Sequence, residues 1–192
     1  MCKIQIYSVI DGFSLCGVLG SENSKKRSGI LFFEFPSNIL TFVGYNSNYM
    51  SDKIQWLSEK VSMPIFAQDK IERWLECVAQ NHNRIIRSMV YIFCDDEKIL
   101  EVNKEFLNHD YYTDIITFDY CQGRMLRGDI YISLDTVKSN AESLGLDYES
   151  EFYRVIAHGL LHLCGINDKG PGEREIMEAH EDEALKLLSN LK

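Results

Sequence analysis

The sequence predicts an α+β fold: a single domain with a small mixed β-sheet packed against helices, and a His-x-x-x-His metal site on a helix of the C-terminal half. Three observations lead there. Apolar residues recur at helical spacing over 68–81, around Ile99 to Leu107, and through the C-terminal third, whereas 53–58, 85–94, 115–120 and 129–133 are short β-branched or aromatic runs bounded by turn residues. A chain of 192 residues suits one hydrophobic core and is short for two. Finally, His158 and His162 stand four residues apart in an apolar stretch that Gly165 can end.

Taken in order, residues 1–49 differ from the rest. Their Lys and Arg slightly outnumber their acids, and their aromatic-rich part shows no clean period. They read either as a small β appendage or as an extension upstream of a natural start at Met50; Met50-Ser-Asp-Lys opens cleanly into a strand, which favours the second and a functional domain of 50–192. Lys53–Ser58 is a strand, and 68–81 is a helix with Ile71, Trp74, Leu75, Val78 and Ala79 on one face. Ile85–Cys94 is a strand buried on both faces toward its end. Asp95 or Asp96 caps the next helix. Asn108–Asp114 is a polar turn, Ile115–Tyr120 a strand, Cys121–Gly128 a glycine-bounded loop and Asp129–Ser133 a strand. A helix from Asp135 ends at Gly145, and another runs from near Tyr148 into the histidines. Gly170-Pro171-Gly172 is a loop. The last helix starts near Glu173, with Ile176, Ala179, Ala184, Leu187, Leu188 and Leu191 on one side.

Composition excludes several classes. A hydrophobic content of 45% with 26% charged residues is that of a globular protein. No apolar run is long enough to span a membrane, and no secretory signal pattern opens the chain, so the expectation is a cytoplasmic protein without a membrane partner. Six scattered cysteines form no CxxC pair and read as reduced thiols. A net charge of −9 argues against a general electrostatic grip on nucleic acid and leaves room only for a local basic groove; Arg84, Arg87, Arg124, Arg127 and Arg154 are expected to form it.

Residues at i and i+4 lie one above the other on a helix, so His158 and His162 can close on one ion. After the turn at Gly165, Asp168 is the third ligand, and three protein ligands leave one position open. The alternative is a hydrogen-bonded structural pair, but two imidazoles among Val155, Ile156, Ala157, Leu160, Leu161 and Leu163 need a partner. The donor set points to one Zn2+, while iron, nickel and manganese also accept it. Cys164, two residues from His162, points away. Gly159 stands where HExxH proteases carry their general base, which removes the most specific peptidase feature.

His158-Gly-Leu-Leu-His-Leu-Cys-Gly-Ile-Asn-Asp168, followed by Met177-Glu178, resembles the bacterial YbeY family of metallo-endoribonucleases. Asn103, Phe106, Asp110 and Thr113-Asp-Ile-Ile-Thr-Phe118 are similar to that family's segment before its central strand, and Gly128-Asp129-Ile130 to its strand entry. The likeness covers about residues 85–185. It implies a zinc-dependent endonuclease for single-stranded RNA, acting in small-subunit ribosomal RNA maturation and ribosome quality control, with RNA and the small ribosomal subunit rather than DNA as partners. Two positions depart from the family: Asp168 stands at the usual third His, and Leu107 where an Arg is common. Arg87, Arg124 and Arg127 are the candidates to replace that Arg on phosphate; His109 and Asp114 are the candidates for proton transfer. His180 reads as a surface residue. The competing readings are a zinc hydrolase of another substrate, such as a peptidase, and a ribosome-associated binding protein with a structural metal.

Overall fold

The computed structural model describes residues 53–191, and before them the backbone of four short strands, β1 (Ile4–Ile10), β2 (Phe13–Leu19), β3 (Lys26–Arg27) and β4 (Ile30–Leu31). Met50, the expected start, lies outside the described residues. The rest of the chain runs β5 (Ile54–Ser58), α1 (Gln68–Asn81), β6 (Ile85–Cys94), α2 (Asp96–Leu107), β7 (Ile115–Asp119), β8 (Met125–Ser133), α3 (Leu134–Leu144), α4 (Tyr148–Cys164) and α5 (Glu173–Asn190). The main sheet has the order β2-β1-β7-β8-β6-β5. β5, β6 and β8 are parallel neighbours, β7 is antiparallel to β8, and β1 pairs antiparallel with β7. This is the mixed sheet of an α+β fold.

Period-two alternation decides which strand residues face which layer. Register places Met89, Tyr91 and Phe93 beside Gly128, Ile130 and Ile132 on one face of the sheet. Against them pack α1, α4 and α5, through Trp74, Leu75, Phe152, Ile156, Leu160 and Leu188. The opposite face meets α2, where Ile99, Val102 and Leu107 cover Ile116, Phe118 and Cys94. Leu107 is thus a core residue, which accounts for the apolar side chain at this position. Two buried hydrogen bonds pin the layers: Tyr91 Oη donates to the Ile156 carbonyl at 3.1 Å, and Trp74 Nε1 to the Ala184 carbonyl at 2.7 Å.

The helix starts follow from local chemistry. Asp95, Ser133 and Asp147 are N-caps, accepting from the backbone N–H groups of Lys98, Thr136 and Ser150, respectively. Gly145 and Gly165 take left-handed φ of 67° and 97° to end α3 and α4.

Two expectations are corrected. Residues 121–128 are not a loop: β8 begins at Met125, and a tight turn at Gly123 and Arg124 joins it to β7. Met125 to Gly128 alternate in burial just as the following residues do, with Gly128 concealing the apolar member of the pattern. In α5, Ile176 is 53% exposed and Ala179 is exposed; the buried stripe is Met177, Glu181, Ala184 and Leu188. That stripe holds an acid in a core position, so choosing apolar residues alone rotates the helix the wrong way.

Gly128 is a close approach rather than a turn. A Cβ there would lie 2.6 Å from the Phe118 carbonyl oxygen and 2.9 Å from both Leu163 methyls. Gly128→Ala is therefore expected to lower the unfolding free energy by about 2–3 kcal/mol in urea titration, the cost of overpacking against backbone. A loss below about 0.5 kcal/mol would contradict the close packing of α4 on β8.

Candidate metal centre

Helix α4 is buried continuously from Val155 to Cys164, so its polar side chains are satisfied by protein groups or by a ligand. His158 and His162 project from it with their rings 4.3 Å apart and nearly perpendicular. After the Gly165 cap, Ile166 N–H returns to the Leu161 carbonyl at 3.0 Å. The Ile166 carbonyl in turn accepts from His162 Nδ1 at 2.9 Å. Glu173, in the first turn of α5, accepts from the backbone N–H groups of Lys169 and Gly170 at 3.2 and 2.6 Å. The loop is fixed on both sides of Asp168, whose Oδ2 lies 3.5 Å from His158 Nε2 and 3.7 Å from His162 Nε2.

One ligand atom from each of His158, His162 and Asp168 lies within 4.8 Å of the others. Among the described residues this is the one such His/Cys/Asp/Glu group of three or more. The residues fit a metal. His158 Nε2 and Asp168 Oδ1 are buried with no hydrogen-bond partner, each an arrangement that costs about 1–3 kcal/mol unless something accepts it. A divalent ion would satisfy both at once. Cys164 stands outside the group, a buried thiol pushed up to about 12 by loss of hydration.

A charged layer lies behind the histidines. His158 Nδ1 meets Glu181 Oε1 of α5 at 2.5 Å. Arg154, one helical turn before His158, donates to both oxygens of Glu151, at 2.7 and 2.6 Å, and to Glu181 Oε2 at 3.1 Å. It also lies 4.0 Å from Asp114 Oδ2. Burial alone would depress the pKa of His158, but its hydrogen bond to Glu181 and that residue's charge outweigh burial and raise it. His162 is lowered well below the usual histidine value, by burial first and then by His158. The Glu181 carboxyl, opposed by burial, is nonetheless held below its ordinary value by His158 and Arg154.

The other expected residues separate. Asp114 joins the layer through Arg154 and accepts from Asn140 Nδ2 at 3.3 Å. His109 is engaged locally, its Nδ1 2.8 Å from Tyr111 Oη and its ring stacked on that tyrosine. Of the arginines expected to cluster, Arg154 is committed to acids, whereas Arg84 and Arg124 lie together where β6 and β8 begin. Arg84 donates to the Cys164 and Gly123 carbonyls, and Arg124 donates to the Asn83 carbonyl. Arg87 is exposed at a register shift in β6, and Arg127 alternates with Leu126 and Gly128 and so points away from α4. Sequence reasoning missed Glu181, for which an acid in the apolar stripe of α5 was the available signal, and gave Arg154 to a basic groove rather than to the acids behind His158.

Two measurements check this geometry. His158→Ala, His162→Ala and Asp168→Ala are each expected to lower bound zinc in elemental analysis; unchanged occupancy in the Asp168 variant would remove it from the ligand set. The Asp114 carboxyl is pushed up to about 6, by burial first, with Arg154 and His158 pulling it down and Glu151 pushing it up. Its folded-state pKa is above the unfolded one, so its contribution to stability is complete below about pH 4 and is lost as pH rises through about 6. In metal-free protein, the stability of wild type relative to Asp114→Asn is expected to fall by about 3 kcal/mol from pH 4 to pH 7 in chemical denaturation. A flat difference would contradict it.

A family model described as endoribonuclease YbeY matches residues 53–189. A Phocaeicola vulgatus protein named endoribonuclease YbeY is 57% identical over 136 residues, covering 71% of this chain and 99% of its own. A Bacteroides thetaiotaomicron protein of the same name is 56% identical over 134 residues, 70% of this chain and 98% of its own. One from Cytophaga hutchinsonii is 43% identical over 137 residues, 71% and 96% of the two chains. The matched segment contains β5 to α5 and every residue of the candidate metal centre, and the chain belongs to the endoribonuclease YbeY family.

Proposed function

We propose that the protein is a zinc-dependent endoribonuclease for single-stranded RNA, acting in the cytoplasm in small-subunit ribosomal RNA maturation and ribosome quality control. The observation that carries the reading is the triad His158, His162 and Asp168, with His158 Nε2 and Asp168 Oδ1 shielded from solvent and without a hydrogen bond. The names of the relatives support RNA as the substrate. We assign the activity to residues 50–192, with 1–49 an extension; the family match begins at residue 53.

Zinc in this site supplies a Lewis acid for a phosphoryl oxygen and a means of ionising water near neutral pH. His162 Nδ1 is committed to the Ile166 carbonyl and His158 Nδ1 to Glu181, so each imidazole turns Nε2 toward Asp168. Asp168 brings a negative charge that a third imidazole would not, which weakens the electrophilic pull of the site. Asp114 lies 4.0 Å from the Arg154 nitrogen that also meets Glu151 and is assigned a positioning role. Arg87, exposed on β6, is assigned to the RNA backbone.

The peptidase reading meets a steric obstacle. A Cβ on Gly159 would lie 2.9 Å from Ile115 Cδ1 and from Ile130 Cγ2, so this position faces the sheet and has no room for a glutamate. A purely structural metal calls for a closed tetrahedral site, and the group here has three members among the described residues.

The test is cleavage of single-stranded RNA by zinc-loaded protein, with His162→Ala protein and a peptide substrate alongside. The expected result is RNA cutting that a chelator stops, no cutting above background by the variant, and an intact peptide. Cutting that persists in His162→Ala would identify a contaminating nuclease, and cutting of the peptide alone would establish the peptidase.

A further inference from the structure

The geometry points to Glu181 as the positioning residue of the metal centre: held by Arg154, it fixes the ring of His158 and couples the docking of α5 to metal binding. This rests on the metal reading proposed above and goes beyond it to a residue outside the ligand set.

Glu181 is 3% exposed, on a helix whose first two turns are otherwise largely solvated. A buried carboxylate without compensating partners is costly, so its partners explain its presence. One oxygen meets His158 Nδ1 at 2.5 Å, and the other accepts from Arg154 Nη1 at 3.1 Å. An imidazole that donates Nδ1–H to a carboxylate keeps its Nε2 lone pair for a metal, and the ring can no longer rotate freely. His158 Nε2 is buried, makes no hydrogen bond and lies 3.5 Å from Asp168 Oδ2. The acid and the ligand come from different helices, α5 and α4. Seating α5 therefore completes the support of a ligand on α4.

Arg154 keeps this arrangement in one state. It shares α4 with His158, and its guanidinium spans Glu151, Glu181 and, at 4.0 Å, Asp114. A planar guanidinium makes such paired contacts in a fixed direction, which a lysine ammonium does not reproduce. Glu151 has no exposed surface, so Arg154 is locked to its own helix and presents Glu181 at a set height beside His158. His162 uses a backbone carbonyl for the same purpose, so the centre depends on one charged support and one neutral one.

The test is zinc affinity by chelator competition for wild type, Glu181→Gln, Glu181→Ala and Arg154→Lys, each compared with its own metal-free thermal unfolding. The expected result is a loss of affinity of about 10–100-fold in Glu181→Gln, larger in Glu181→Ala, with Arg154→Lys weakened in the same direction. In a His158→Ala background the effect of Glu181→Gln on affinity is expected to disappear, because the carboxylate acts through that ring. An effect of equal size in the His158→Ala background, or wild-type affinity in both Glu181 variants, would overturn the inference. A purely structural role would lower the unfolding temperature and leave the affinity of the folded protein unchanged. A wild-type protein that binds no zinc would overturn the metal reading as well, so the two failures are distinguishable.

Discussion

The structure depends on one constraint: a helix buried along most of its length must carry polar side chains that cannot reach water. Helix α4 faces the sheet through Gly159 and Leu163, α1 through Tyr153, and α5 through the contact of His158 with Glu181. A helix apolar all round would pack there with less difficulty. This one carries Glu151, His158 and His162 in a region that excludes solvent, with Arg154 partly buried beside them, and the buried groups need partners. Backbone groups and other side chains supply most of them. Ligand atoms of the two imidazoles and of Asp168 lie within 4.8 Å of one another, near enough to share a metal ion.

The same constraint explains features far from the ligands. Gly128 lets β8 approach α4 so closely that no side chain fits between Phe118 and Leu163. Arg84 reaches across from the start of β6 to the Cys164 carbonyl at 3.0 Å, satisfying the end of α4 where the helix dipole favours a cation. Glu173 accepts two backbone N–H groups and holds the loop that carries Asp168. The hydrogen-bonding demands of one buried helix thus recruit residues from β6, β8 and α5.

The fold was legible to the extent that local chemistry decides it. The range 68–81 follows from apolar spacing, and the start of α2 from an aspartate cap, because caps act over three residues. The coming together of His158, His162 and Asp168 was legible because two of them share a helix turn and the third follows a glycine cap. What failed was longer in range. Residues 125–128 looked like a loop because a glycine at a close approach resembles a glycine at a turn. Ile176 looked buried because hydrophobicity was read without the acid at 181, whose burial depends on a partner on another helix. Arg154 looked like part of a basic groove because sequence shows charge but not the carboxylates that consume it, here Glu151 and Glu181.

The central claim is that His158, His162 and Asp168 hold one zinc ion with a position left for water or substrate. X-ray absorption at the zinc edge of stoichiometrically loaded protein tests it most directly. The expected spectrum has two imidazole nitrogens at about 2.0–2.1 Å, oxygen neighbours at about 2.0–2.2 Å that include one not supplied by the protein, and no sulfur. A sulfur neighbour at about 2.3 Å would bring Cys164 into a closed structural site and contradict it.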